Sequence, residues 1–528
     1  MGQGRRVIAM KLNYWRTICV GFAFFLICAF WQAYDNIIPK ILTDKFGMAQ
    51  GWSGVIMALD NILALFMLPI FGAISDKCRS KYGKRTPFIV VGTIIAVIAF
   101  IGLSFIDNAQ LNTLHSAADM TDKGVSVVYG NSEIASAELI THDGEKYVLS
   151  EKYTEDELID VLHRINGEDK EAASAAQAEW DTYYVPARQA YAAKTTASHR
   201  LILVAFMAVL LVTLVAMSTF RSPAVALMPD VTMKPLRSKG NAVINLMGSF
   251  GGILVLVLGM VFGTGKAQNA MMSYTLFFTV IGAIMILALV IFLLTVKEPK
   301  FVREMEEESK RYGIDNADEK EEGARKLSKG ELTSLLLILG SVALWFFGYN
   351  AVTSKYSVYA GKVLNLDYNM TLIIAQAAAI ISYLPVGIIS SKIGRKKAIL
   401  AGVIMLTAAF TVAAFLRAGS PAMLMNAMFA LAGIGWATIN VNSFPMVVEL
   451  AKGGTVGKYT GYYYTASMAA QVLTPILSGF LMDAFGMRIL FPYAAIFVAC
   501  AFVTMLFVKH GDNKPTAKKG LEALDIGD

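Results

Sequence analysis

Apolar runs of about twenty residues recur twelve times along the chain, at about 17–39, 52–73, 86–107, 200–228, 240–262, 272–296, 332–353, 368–390, 398–416, 421–448, 460–482 and 488–508. Wound as helices, runs of that length cross a hydrocarbon layer of ~30 Å. The pattern predicts an all-α membrane protein of twelve transmembrane helices in two six-helix bundles. Residues 1–107 and 199–296 supply helices 1–3 and 4–6 of an N-terminal bundle, and 332–508 supply helices 7–12 of a C-terminal bundle. Between them lie a cap at 108–198 and a linker at 297–331, with a tail at 509–528. The first run carries Trp31, Asp35 and Asn36 and lacks a small-residue cleavage site, so it reads as a retained helix and not a signal peptide.

The cap interrupts the helical pattern with a small α+β extracytoplasmic insertion. Residues 137–149 alternate as a hairpin, with Asp143-Gly144 suited to a tight primed turn. Thr154 and Glu157 then form a capping box, Leu158, Leu162 and Ile165 lie on one stripe, and Asn166-Gly167 ends that helix. An Ala-rich helix at about 169–194 leads back to the fourth run. The cap holds sixteen acids against seven bases and no cysteine. It reads as a structural or protein-contacting module, which leaves room for an unknown protein partner, with a substrate-handling lid as the alternative. The linker, rich in both charges, reads as a solvated connection.

Composition fits this picture. Of 528 residues, 55% are hydrophobic and only 16% charged, a balance that would aggregate a soluble domain. Lys and Arg gather in alternate loops: Arg5, Arg6, Lys11 and Arg16; Lys77 to Arg85; Lys234, Arg237 and Lys239; Lys392 to Lys397; and Lys509 to Lys519. The other short loops hold little more than Lys266 and Arg417. Positive loops stay cytoplasmic, which predicts a multi-pass plasma-membrane protein with both termini inside. The net charge of +7 is then topology and not a nucleic-acid footprint. The four cysteines, three in apolar runs, do not form a disulfide set.

One basic turn occurs in both halves. Gly72-Ala-Ile-Ser-Asp76 leads to Gly83-Lys-Arg85, and Gly387-Ile-Ile-Ser-Ser leads to Gly394-Arg395-Lys-Lys. Gly72 permits close helix approach, and Asp76 can accept from Arg85 and cap a neighbouring helix, latching the two bundles on the cytoplasmic side. The second copy has Ser391 where the acid stands, so the latches should differ in strength. Asp230, after the fourth run, belongs to the same gating set.

Polar groups inside spans are costly in hydrocarbon and are functional candidates by default. They are Asp35 and Asn36 in span one, Asp60 and Asn61 in span two, and Arg221 in span four. Span seven adds Trp345, Tyr349 and Asn350, span eight Gln376, span ten Trp436, Asn440 and Asn442, and span eleven Gln471. Sugars need this mixture: amides and acids for hydroxyls, aromatic faces for the ring. Coupling to an ion needs a group whose charge changes, which makes Asp35 the first candidate and Asp60 the second, with Arg221 able to neutralise either. The reading predicts that Asn350, Gln376, Asn440 and Asn442 converge. No metal spacing, nucleophile elbow or phosphate loop appears; neither enzyme nor resident cofactor is expected.

At these residues the chain resembles the major facilitator superfamily. More narrowly, Leu68-Pro-Ile-Phe-Gly-Ala-Ile-Ser-Asp-Lys-Cys-Arg-Ser-Lys-Tyr-Gly-Lys-Arg-Thr-Pro-Phe-Ile89 resembles the loop of the sucrose–proton symporters and the related glycoside–pentoside–hexuronide cation symporters. Ala226-Leu-Met-Pro-Asp230 and Asn241 resemble the same group's span four–five turn. The resemblance implies the major facilitator fold, a central sugar site and alternating access. The sodium-using members carry paired acids in span two where this chain has Ala64 and Leu68, so sodium is not expected. The plant members' span-four acid falls near Leu214, which leaves proton coupling to another carboxylate, Asp35.

The expected function is proton-coupled symport of a small sugar, a disaccharide such as sucrose or maltose or another glycoside. Two rivals are an exporter of hydrophobic compounds, which predicts a cavity dominated by Met and Phe, and a sensor or scaffold that uses the cap for contacts.

Overall fold

A computed structural model describes residues 11–233, 236–312, 327–450 and 456–511, without the side chains at 238, 384, 391, 448 and 456–458. Arg5, Arg6, Lys234, Lys514, Lys518 and Lys519, the side chain of Ser391 and linker residues 313–326 therefore lie outside the described residues.

The first half begins with α1 (Tyr14–Lys40), prolonged by a π-helical turn at Ile41–Lys45, then α2 (Gln50–Lys77) and α3 (Thr86–Leu114). The insertion follows: α4 (Asp122–Tyr129), α5 (Ser132–Ala135), β1 (Glu138–Ile140), β2 (Lys146–Val148), α6 (Leu149–Lys152), α7 (Glu155–Ile165) and α8 (Lys170–Ser198). The half is completed by α9 (Arg200–Asp230), α10 (Arg237–Phe262) and α11 (Thr275–Thr295), and α12 (Glu298–Arg311) opens the linker. The second half holds α13 (Lys329–Val363), α14 (Tyr368–Ile393), α15 (Arg395–Ala413), α16 (Ala422–Val448), α17 (Val456–Phe485) and α18 (Leu490–Leu506). Among the described residues, eleven helices are long and apolar enough to cross a membrane, and α14 carries a shorter apolar stretch, Tyr368–Tyr383. The chain is a multi-pass membrane protein.

Buried side chains fall into three main cores. Phe30, Phe100 and Phe278 centre the first half, Trp345, Tyr356 and Phe491 the second, and Trp180, Tyr184, Leu158 and Leu162 the insertion. In the insertion, β1 and β2 pair antiparallel with Leu139 opposite Tyr147. The capping box at Thr154 and Glu157 forms, and Leu158, Leu162 and Ile165 are buried. The turn differs from expectation: only Gly144 takes a positive φ, +87°, so Asp143 does not enter a primed turn. Its tip instead reaches the second half, where Met487 N–H donates to the His142 carbonyl at 2.7 Å. Gly144 and Gly486 meet there, and a Cβ on Gly486 would lie 2.7 Å from the Asp143 carbonyl carbon.

The halves are sewn together at the end that carries the insertion, here the cap end. Helices α2 and α17 approach so closely that a Cβ on Gly54 would sit 2.0 Å from the Pro475 carbonyl oxygen. Asp483, in α17, accepts from Gln50 N–H at 2.8 Å and Gly51 N–H at 2.7 Å, satisfying donors at the start of α2. Lys355 donates to the Gln50 carbonyl at 2.7 Å, and Lys362 pairs with Asp44 at 2.6 Å. Thr264 and Tyr368 share a 2.9 Å hydrogen bond.

Candidate functional site

Between the halves lies a cavity of about 300 Å³, lined by α1, α10, α13, α14 and α16 and by Phe410 of α15. From α1 come Gln32, Asp35 and Asn36, one helical turn that presents polar groups between apolar neighbours. Asn36 donates to the Gln32 carbonyl at 2.7 Å, which fixes its side chain against its own helix. Gln376 of α14 donates to the Gln32 side chain at 2.7 Å and closes a polar contact across the two halves. Opposite, Tyr349 of α13 and Trp436 of α16 stack with ring centroids 3.6 Å apart and planes 2° from parallel. Phe346 backs the indole edge-on at 5.1 Å. The cavity lining thus combines a stacked aromatic pair with a carboxylate and three amides.

Five of the residues expected to meet do line this cavity: Asp35, Asn36, Tyr349, Gln376 and Trp436. Asp60 and Arg221 do not line it but lie within electrostatic reach of Asp35. Arg221 also sits over the Trp31 ring, 5.6 Å from its centroid, and Asn61 donates to Asp60 at 2.9 Å.

Several expectations are corrected. Trp345 is wholly buried in the core of the second half, because α13 turns that face inward, and it does not line the cavity. The expected convergence of asparagines fails. Asn442 is buried and donates to the Thr438 carbonyl of its own helix at 2.9 Å. Asn350, Asn440 and Gln471 also lie off the cavity lining, leaving Gln376 alone of that set.

The basic turns also differ from expectation. Arg85 reaches Asp76 at 2.5 Å, Asp230 at 2.8 Å and the Ser75 hydroxyl, all within the first half. Its guanidinium pKa is raised above the ordinary value: burial opposes the charge, but Asp230 and Asp76 outweigh it. The helix cap is supplied by Glu298, not Asp76. Its carboxylate accepts from the N–H groups of Lys84, Arg85 and Thr86 at 2.6–3.1 Å, at the start of α3. Gly83, at φ +113°, lies against that carboxylate, and Gly72 faces Ser222 of α9. In the second half, Arg395 follows Gly394, at φ +94°, and pairs with Glu449. Each turn thus ties helices of one half together, so the latch between bundles expected from Asp76 and Arg85 is not what they form.

Sequence reasoning missed the layer above the cavity. Lys45, fully buried, pairs with Asp107 at 2.6 Å, donates to the Met272 carbonyl at 2.7 Å and lies over the Tyr274 ring. Lys40 donates to the Thr264 carbonyl at 2.5 Å. With Asp44–Lys362 and Lys355, these form a polar plug whose signal was four lysines and two acids at or beyond run ends.

A Major Facilitator Superfamily profile matches residues 190–451 and 370–525, together more than half the chain. The chain belongs to the major facilitator superfamily, a family of transporters and not of enzymes. A profile described as MFS/sugar transport protein matches residues 19–147. Sucrose transport protein SUC4 of Arabidopsis thaliana is 40% identical over 56 residues, 11% of each chain. Proton-associated sugar transporter A of Homo sapiens is 32% identical over 92 residues, 17% of this chain and 11% of that protein. Putative glycoside/cation symporter YagG of Escherichia coli is 31% identical over 68 residues, 13% and 15% of the two chains. The matches thus span only about a tenth to a seventh of these relatives' length. Among solved structures, the inward open xylose transporter XylE of E. coli superposes with TM-score 0.58 at 12% identity, over 97% of this chain and 99% of that one, a likeness of fold.

Proposed function

We propose that this chain is a secondary transporter of a small glycoside, a disaccharide such as sucrose or maltose. The sugar moves with a proton as the central cavity opens to one side and then the other. The carrying observation is the parallel Tyr349–Trp436 pair opposite Gln32, Asp35, Asn36 and Gln376. A pyranose offers one apolar face for stacking and hydroxyls that both donate and accept, the pattern this wall and rim present. Among the described residues Asp35 is the one acid on the lining, and it is assigned the coupling proton, with Asp60 and Arg221 biasing it. Sodium is not assigned, because Ala64 and Leu68 stand where the sodium-using members of the group this chain resembles carry paired acids. The relatives it matches, a sucrose transport protein and a proton-associated sugar transporter, support the same class.

We place both termini and the linker in the cytoplasm and the cap outside the plasma membrane, from the distribution of Lys and Arg. The exporter reading expects a lining of Met and Phe, whereas the cavity presents Phe410 and Phe429 with polar groups and no methionine among its lining residues. A thermal-shift screen of sugars on the purified protein, at two pH values and with or without sodium, tests the reading. Stabilisation by a disaccharide, stronger at the lower pH and indifferent to sodium, is expected. Stabilisation by no sugar removes it.

A further inference from the structure

A second cavity, of about 310 Å³, lies beneath the cap. Its walls come from three bodies: Gln50 and the α1–α2 turn, the cap residues His142, Asp181 and Gln189, and Lys362 with Asp483 of the second half. It lies in line with the central cavity. Along α13 the order is Thr353 in the central lining, then buried Lys355, Tyr356 and Tyr359, then Lys362 in the upper lining. Nine helical residues separate Thr353 from Lys362, a rise of about 14 Å. Along α1 and the turn that prolongs it the order repeats, from Asn36 through buried Lys40 and Asp44 to Met48. The two chambers are thus stacked, with the polar plug between them.

The chemistry of the upper chamber is specific. Asp181 is 5% exposed, and one of its carboxylate oxygens accepts nothing, while the other accepts from Gln177 at 2.9 Å. Gln50, 8% exposed, has an unpartnered side-chain carbonyl, and His142 an unpartnered Nδ1. Donors are left over as well, Lys362 Nζ on the lining and Arg188 Nε beside Asp181, so the chamber offers both sides of a hydrogen bond. The formal charges around them already balance: Lys362 pairs with Asp44, Arg188 stands within electrostatic reach of Asp181, and Lys355 within reach of Asp483. A balanced wall with free acceptors and donors suits a neutral solute that both donates and accepts hydrogen bonds, a polyhydroxylated one, over an ammonium or an anion.

We infer that the chamber beneath the cap is a second sugar-binding site, a vestibule that holds the glycoside outside the closed plug, with Asp181, Gln50 and His142 accepting its hydroxyls. This rests on the reading of the central cavity as a sugar site. Because the walls belong to both halves and the cap, the bound sugar is released inward only when those three bodies separate.

The test is equilibrium binding of radiolabelled sucrose and maltose to the purified full chain, alongside uptake. The wild type should bind two sugars per chain. Trp436→Ala should weaken the central one about tenfold and leave the vestibular one unchanged, and Asp181→Asn should keep only the central one. Ile140→Trp, which fills the chamber from a partly exposed wall residue without touching its polar groups, should reduce two sites to one in the same way. A wild-type stoichiometry of one, at a site that Trp436→Ala weakens about tenfold, with wild-type uptake intact, overturns the vestibule and leaves the transport reading standing. Absence of both binding and uptake overturns the two together.

Discussion

Lys362 of α13 and Asp44, just beyond α1, meet at 2.6 Å across the two halves, and Gln189 of the cap donates to the same Asp44 carboxylate at 3.2 Å. One acid therefore joins first half, second half and cap. A rocking motion that opens the cap end must break the pair and expose both charges. It is a contact that two discrete arrangements would make and unmake.

Asp44→Asn leaves a nearly buried ammonium without its partner, a loss of up to about 3 kcal/mol for the closed arrangement. A cysteine placed at Gln50 should then react faster with a membrane-impermeant thiol reagent than in the wild-type background. Adding Lys362→Met, which removes the orphaned charge, should restore most of the protection. Equal labelling rates in all three proteins would show that the pair does not hold this end shut.

Asp35 lines the cavity on the same helical turn as Gln32 and Asn36. Asp35→Asn keeps the shape but cannot exchange a proton. Accumulation against a gradient should disappear, while counterflow of labelled sugar across loaded vesicles persists. Normal accumulation by this variant would move the coupling role elsewhere, first to Asp60.

Trp436 supplies half of the stacked wall. Trp436→Ala should raise the KM for uptake about tenfold, the effect of losing a stacking partner of about 1.5 kcal/mol. Trp436→Phe should fall between. An unchanged KM would place the sugar away from this wall.

The cap adds a pH dependence. Burial pushes Asp181 up from 3.8 to about 7, with Asp44 adding to the rise, while Gln177, Arg188 and Lys362 oppose it. A carboxyl that binds its proton more tightly folded than unfolded favours the fold below about pH 4. That contribution is lost as pH climbs through about 7. His142 runs the other way: burial lowers its pKa below 6.5, so its share is lost as pH falls. The melting temperature of the wild type relative to Asp181→Asn should therefore decline from pH 5 to pH 8. A difference constant over that range would mean Asp181 titrates as an exposed acid.

Much of the fold was legible because bilayer thickness imposes a length and an apolar run on each helix. All twelve expected runs overlap long helices, and the cap's capping box and stripe formed as written. The site was half legible. Asp35, Asn36, Tyr349, Gln376 and Trp436 were found because polar and aromatic groups inside a span are conspicuous. Trp345 and Asn442 mislead by the same rule, since a span has two faces and a sequence alone does not say which one turns to the cavity. Lys40, Lys45 and Lys355 were overlooked for a different reason. A window of about twenty residues ends the first span near 39 and the seventh near 353, whereas α1 with its π-turn and α13 run on to Lys45 and Val363 and carry those cations inside. The latch was misplaced because Asp76 and Arg85 show a partnership but not whether it crosses between halves.

The most direct measurement is uptake of labelled sucrose or maltose into proteoliposomes holding the purified chain, with a pH gradient imposed and then collapsed by an ionophore. Accumulation above the external concentration while the gradient stands, with loss of the excess on its collapse, is the expected result. Equilibration of no sugar, or uptake indifferent to the gradient but driven by sodium, would contradict it.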